Sequence, residues 1–249
     1  MNAGVDRPVV DVGVVTWNTR DLTVAALRRL LDTQQGCELR LLVRDNGSTD
    51  GTPEAVSALV PEASLDAGEK NLGFAGGVNT LLRRSDAPWF FALNSDAWPE
   101  PGSIGRLVQA AEQRPKAAAV VPRLERPDGS LEHSTHPFPS PKIAAVTMID
   151  HRRLGRVGRR LLLEESWMHD EARVVDWAVG AAMLLRRSAV SSIGLFDERF
   201  FMYVEDLDWC WRAGQAGWEI WFEPTCIVRH VGNPRPYWKE YPEEVARVS

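Results

Sequence analysis

The sequence predicts an α/β protein built on a doubly wound, mostly parallel sheet. Two observations carry that class: short runs of β-branched and apolar residues alternate with stretches of helical periodicity over the first half, and several of those runs stop in Asn, Asp or Gly, as βα turns do. Composition is the third. Over 249 residues, 44% hydrophobic and 25% charged suits a packed globular chain and excludes a disordered or fibrous one.

Val9–Trp17 (VVDVGVVTW) reads as a buried strand, since β-branched residues suit a sheet covered on both faces. Asp21–Thr33 sets Leu22, Ala25, Ala26, Leu30 and Leu31 close to helical spacing, with Asp21 in the first turn where the dipole favours an acid. Leu39–Val43 is the second strand and runs into DNGSTDG at 45–51, turn chemistry that opens a helix from about Pro53. A short strand over 63–65, a helix over 76–84, a strand over 89–93, a helix over 102–114 and a strand over 117–124 complete the alternation. Ligands of such sheets gather at the carboxyl ends of strands, so the loops after Trp17, Val43 and Leu93 are expected to converge with Asn18, Asp45 and Asp96.

Past Leu124 the rhythm breaks. Pro127-Asp128-Gly129-Ser130 is expected to form a hairpin turn, and 136–141, with three prolines, an exposed connector. The stretch 142–163 reads as a basic amphipathic helix or pair of helices. Strands are expected over 174–185, 218–222 and 226–231, and a helix over 205–216 stopped by Gly217. Seven of the ten tryptophans lie at or beyond Trp167, which divides the chain into two compositional halves.

The net charge is -5, yet 142–163 alone carries six Lys or Arg against one acid. That balance argues against a nucleic-acid binder, whose positive charge would spread over a whole face. Cys37, Cys210 and Cys226 form no CxxC pair and no signal-like segment precedes Val9, so a reducing, cytoplasmic setting is expected. No apolar run reaches the roughly 20 residues of a membrane span.

Five segments carry possible chemistry. DNGSTDG at 45–51 is a polar turn placed at a strand end. NLGFAGGVN at 71–79 offers backbone N–H groups before a helix, although it lacks the GxGxxG spacing of a dinucleotide fold. NSD at 94–96 follows an apolar strand, where a carboxylate suits Mg²⁺ or Mn²⁺ shared with a diphosphate. Glu205, Asp206 and Asp208 stand at a helix start that favours ionised carboxylates, and such a group can act as a general base. His230 ends a short strand. Read singly, each has an ordinary structural explanation.

In their order and spacing these segments resemble glycosyltransferase family 2, and within it the rhamnosyltransferase-like branch, from Val10 to about Gly232. The resemblance implies the GT-A fold as one domain over 1–249, with a nucleotide-sugar-binding half at 9–124 and a smaller acceptor-binding, base-bearing half at 125–249. It implies an inverting glycosyltransferase with Asp206 as base and Glu205 assisting. Trp17, Asn18, Asp45, Asn71, Gly73, Asn79 and Asn94 would meet the nucleotide sugar, and Trp177, Gly180 and Trp209 the acceptor. Asp96 and His230 would hold a divalent cation, Mg²⁺ or Mn²⁺. Asn94 stands where the family's DxD begins with an acid, which weakens the expected metal dependence. The implied donor is dTDP-rhamnose or a UDP-sugar, and the acceptor a glycan, a lipid-linked sugar or a small molecule. The 142–163 stretch would meet an anionic membrane or an acceptor diphosphate. The alternative is a non-catalytic nucleotide-sugar-binding module or degenerate transferase.

Overall fold

The β-branched run that opens the chain forms β1 (Val9–Thr16), and the alternation continues through α1 (Arg20–Asp32), β2 (Glu38–Asp45), α2 (Thr52–Leu59), β3 (Ser64–Ala67), α3 (Gly73–Arg84) and β4 (Trp89–Asn94). Then come β5 (Ala97–Pro99), α4 (Ser103–Glu112), β6 (Ala117–Glu125), β7 (Leu131–Glu132), β8 (Thr135–His136), β9 (Arg173–Val175), β10 (Trp177–Ala178), β11 (Ala182–Arg186), α5 (Arg187–Ile193), α6 (Glu205–Gln215) and β12 (Glu219–His230). This computed structural model describes residues 7–33, 35–139 and 169–232; the basic stretch 142–163 lies outside the described residues, and so do Trp167 and Trp238.

The main sheet runs β3-β2-β1-β4-β11-β6-β12-β5, with β7 on the edge of β6 and β9 against β12. The pairs β2–β3, β1–β2, β1–β4 and β6–β12 are parallel, and β11 inserts antiparallel between β4 and β6. Strands from the second half of the chain therefore share one sheet with those of the first.

Period-two alternation sorts β4 onto two faces: Trp89, Phe91 and Leu93 join Val10, Val12 and Val14 in one core, whereas Phe90 and Ala92 enter the other. The first core is closed by Leu27 and Leu30 of α1, Val56 of α2 and Leu107 of α4. The second is closed by Leu81 and Leu82 of α3, Val190 of α5 and Trp209 of α6. Gly13 leaves room for Phe90, whose ring would lie 2.1 Å from an added Cβ. The buried Asp11 is answered by a bidentate contact from Arg40, at 2.6 and 3.0 Å.

Two expected elements are built differently. The run 174–185 is not one strand: it pairs successively with β12, β8 and β4, because Asp176 turns away to accept the Phe138 N–H and Gly180 turns toward α6. The segments 218–222 and 226–231 are one strand, β12, interrupted by a register shift between Glu223 and Ile227, where Pro224 has no N–H to give. The hairpin turn at 127–130 forms as expected, with Arg126 N–H donating to Ser130 O and Gly129 N–H to Arg126 O. Among the described residues no helix is long and apolar enough to cross a membrane.

Candidate active site

The three strand-end loops meet. Asn18, at φ 50°, donates its N–H to Ser48 Oγ and accepts the Thr49 N–H on Oδ1, both at 2.8 Å. Thr19 Oγ1 lies 3.2 Å from Ser95 Oγ, which joins the first loop to the one after β4. Trp17 beside them is half-buried. Asp45 is fully buried, and its carboxylate shapes the loop by accepting the N–H groups of Gly47 and Ser48 and the Ser48 hydroxyl.

The 71–79 segment is likewise committed inward. Asn71 Oδ1 accepts the Gly73 N–H at 2.8 Å and an Asn46 Nδ2–H at 3.2 Å, so Asn46, which the sequence reading passed over, ties the two loops together. Gly73 has φ 71°, and a Cβ there would sit 2.0 Å from Phe201 O, the atom that accepts the Phe74 N–H. The glycine admits the loop that precedes α6. Asn79 is a correction: buried, it spans Phe196 O, Phe196 N and Glu198 Oε1, so its amide anchors 196–198 and is not turned to a donor sugar.

Asn94, Asp96 and His230 come together. Antiparallel register sets His230 opposite Ala97, and the Val231 N–H donates to Asp96 O. The imidazole Nε2 lies 3.3 Å from Asp96 Oδ1 and 3.2 Å from Asn94 Nδ2. Its Nδ1 lies 3.0 and 3.1 Å from the two oxygens of Glu132. Burial works against the imidazolium, but the Asp96 and Glu132 carboxylates outweigh it and lift the pKa to about 9. Among the described residues no group of three or more His, Cys, Asp or Glu could by itself hold a metal ion. An oxygen and an imidazole nitrogen side by side do fit a divalent cation that takes its remaining ligands from a diphosphate.

Helix α6 delivers the acidic pair. Tyr203 and Val204 precede it at φ 66° and 74°, strained for residues with a Cβ and most of all for β-branched Val204. Glu205 is 4% exposed and its Oε2 has no hydrogen-bond partner. Burial first, and the neighbouring Asp206 second, push its pKa up to about 8. Asp206 is also raised by burial, but it receives N–H groups on both oxygens, from Gly180 and Leu207, each at 2.8 Å. Of the two, Glu205 is the one that holds a proton near neutrality, and the N–H groups on Asp206 favour its ionised form.

Gly180 is buried, and what it offers is that N–H; a Cβ would press on the Phe74 ring at 3.0 Å. The next residue, Ala181, accepts the Asn94 N–H at 2.9 Å. Two consecutive residues thus clip the acidic pair to the 94–96 loop. Trp177 is half-buried, its Nε1–H donates to Pro137 O and its ring lies 4.8 Å from that of His136. Trp209 is a correction: fully buried, stacked on Phe196 and bonded through Nε1–H to Gly194 O, it is core and has no face for an acceptor.

The glycosyl transferase family 2 model matches residues 11–193. The chain is 36% identical over 205 residues to N-acetylglucosaminyl-diphospho-decaprenol L-rhamnosyltransferase of Mycobacterium tuberculosis, covering 76% of this chain and 66% of that protein. It is 43% identical over 157 residues to the rhamnosyltransferase WbbL of Escherichia coli K12, covering 63% of this chain and 57% of that one. The chain thus spans less than two thirds of either relative's length. A mannosyltransferase from Pyrobaculum calidifontis, solved with GDP-Man and Mn²⁺, superposes at TM-score 0.64 and 20% identity over 95% of this chain and 60% of its own. GalNAc-T7, solved with UDP, GalNAc and Mn²⁺, gives TM-score 0.65 at 12% identity over 91% of this chain and 44% of its own. These likenesses show the GT-A fold. With strand-end loops, acidic pair and family match in agreement, the chain belongs to glycosyltransferase family 2.

Proposed function

We propose that this chain is an inverting glycosyltransferase that moves rhamnose from dTDP-rhamnose to a hydroxyl of a lipid-diphosphate-linked sugar. The observation that carries the proposal is the 180–181 clip, which joins the Asp206 carboxylate to the loop suited to a diphosphate. The relatives named for rhamnosyl transfer, one of them to a decaprenyl-diphosphate acceptor, support the choice of donor and acceptor.

Asp206 takes the proton of the acceptor hydroxyl as that oxygen bonds to the anomeric carbon. The bond to the diphosphate breaks on the opposite face, and the nucleoside diphosphate leaves with the electron pair. General-base help of this kind contributes about 10²- to 10⁴-fold. Glu205 stays protonated and adds no second negative charge beside the base. Asn18 and the half-buried Trp17 border the donor side, and Trp177 the acceptor side. Asp96 and His230 would hold a divalent cation, which when bound supplies Lewis-acid neutralisation of the leaving diphosphate, worth several kcal/mol. A lipid-linked acceptor sets the enzyme on the cytoplasmic face of a membrane, and the basic 142–163 stretch suits an anionic surface.

The test is transfer from dTDP-rhamnose to a synthetic polyprenyl-diphosphate N-acetylglucosamine in the presence of Mn²⁺, read as acceptor mass and dTDP release. A product heavier by one deoxyhexose is expected. Release of UDP but not dTDP from the matching donors would replace the donor. No nucleoside diphosphate from either would reduce the chain to a binding module.

A further inference from the structure

The hydrogen bond on the far edge of the His230 ring has no part in the chemistry above, and it comes from a residue remote in sequence. Glu132 follows the hairpin turn at 127–130 and lies opposite Leu124 on β6, while Leu124 lies opposite Val228 on β12. Side chains in register share a face of the sheet, and so do residues two apart on one strand. The pairing therefore lines up Glu132, Leu124, Val228 and His230 on one face. Both Glu132 oxygens reach Nδ1, at 3.0 and 3.1 Å, while Nε2 on the opposite edge faces Asp96 and Asn94. Glu132 is too far round the ring to share a cation with Asp96. The intervening residue Arg229 points to the other face, where it pairs with Glu100 and Glu125, each at 2.8 Å, and makes no claim on Glu132.

We propose that Glu132 is a positioning residue: by accepting the Nδ1–H of His230 it fixes the ring, so that Nε2 is held beside Asp96 and its lone pair is directed there once a cation displaces the Nε2 proton. Imidazole ligands of metals commonly have such a carboxylate behind them, and removing it typically costs 10- to 100-fold in metal affinity. This rests on the reading of Asp96 and His230 as a cation site. Asn94 makes the support consequential, since the site has one acid fewer than the family pattern implies.

The test is Mn²⁺ affinity of the full chain with excess dTDP, and with UDP in parallel, followed by the electron-spin signal of free Mn²⁺. Glu132→Ala is expected to weaken binding about 10- to 100-fold. Glu132→Gln, which keeps an oxygen acceptor for Nδ1–H, is expected to restore most of it. In a His230→Ala background, Glu132→Ala should change nothing further. Thermal melts of each variant confirm that it is folded. If His230→Ala leaves Mn²⁺ affinity intact, or the parent chain binds no Mn²⁺ with either nucleotide, the cation-site reading falls and this inference with it. If His230→Ala weakens binding and Glu132→Ala does not, the inference alone falls. Equal loss from Glu132→Ala with and without His230 also overturns it, because the effect then does not pass through the ring.

Discussion

Glu205→Gln isolates the charge state of the acidic pair. The folded chain holds the Glu205 proton up to about pH 8, against an ordinary value of 4.5, because the carboxyl is buried and sits beside Asp206. A proton retained in the folded state and released in the unfolded one makes stability highest at low pH and lower as pH rises from 4.5 to about 8. One proton contributes a slope of roughly 1.4 kcal/mol per pH unit, with a ceiling of about 5 kcal/mol over the whole window. Glutamine cannot ionise, so the variant loses that slope. Its amide enters a spot where Oε2 finds no partner, which costs about 1–3 kcal/mol at every pH. The variant is therefore expected to be less stable than the parent at acid pH and more stable above neutrality, so that the two curves cross. Urea unfolding at a series of pH values measures this directly. Asp206, raised in the same direction, and His230, whose contribution is lost as pH rises through about 9, are present in both proteins, so the difference reports Glu205. Parallel curves would mean that Glu205 is ionised in the folded chain, and the reading of a protonated carboxyl beside Asp206 would fail.

Asp206→Asn should lower kcat by about 10²- to 10⁴-fold with nucleotide affinity unchanged; equal losses in both, by kinetics and calorimetry, would count against the base. Gly73→Ala drives a Cβ into Phe201 O and must displace the strained loop before α6, so lower melting temperature and lower kcat should appear together. Trp209→Ala empties a fully buried site and should cost about 3–5 kcal/mol in chemical unfolding, without a selective rise in acceptor KM. Asn79→Ala strands the buried Phe196 N–H and should cost about 1–3 kcal/mol, read in the same assay.

The alternation of strands and helices was legible because β-branched runs and helical periodicity are local, and the parallel pairing of β1 with β2 and β4 agrees with the sheet it implies. The convergence of the loops after Trp17, Val43 and Leu93 was legible too, since it needs only a parallel sheet and its strand ends. What the motifs could not convey was direction. Asp45 and Asn79 sit in polar, ligand-like segments yet turn inward, because a sharp turn and a docked loop each leave N–H groups that need a buried acceptor. Trp209 lies three residues after the base, close to one helical turn on, and that spacing faces it into the second core. Glu132 had no local signal at all, since its partner is 98 residues away. Only the pairing of β7 with β6 and of β6 with β12 reveals it.

That long-range dependence has a consequence for how the site comes into being. Residues 94–96, 180–181, 205–206 and 230 belong to separate elements, and the join between the acidic pair and the 94–96 loop is made by the two residues just before β11. Since β11 lies between β4 and β6, withdrawing it would separate those strands and release Asp206 from Gly180 in one event. The glycine at 180 is what the clip requires: a side chain there would push on Phe74 and hold the N–H away from Asp206. The loops at the ends of β1 and β2 do not depend on that insertion, and Asp96 and His230 are held together by β5–β12 pairing, whereas Asp206 is tied to the 94–96 loop through it. Conditions that loosen β11 first should therefore abolish transfer while nucleotide binding survives.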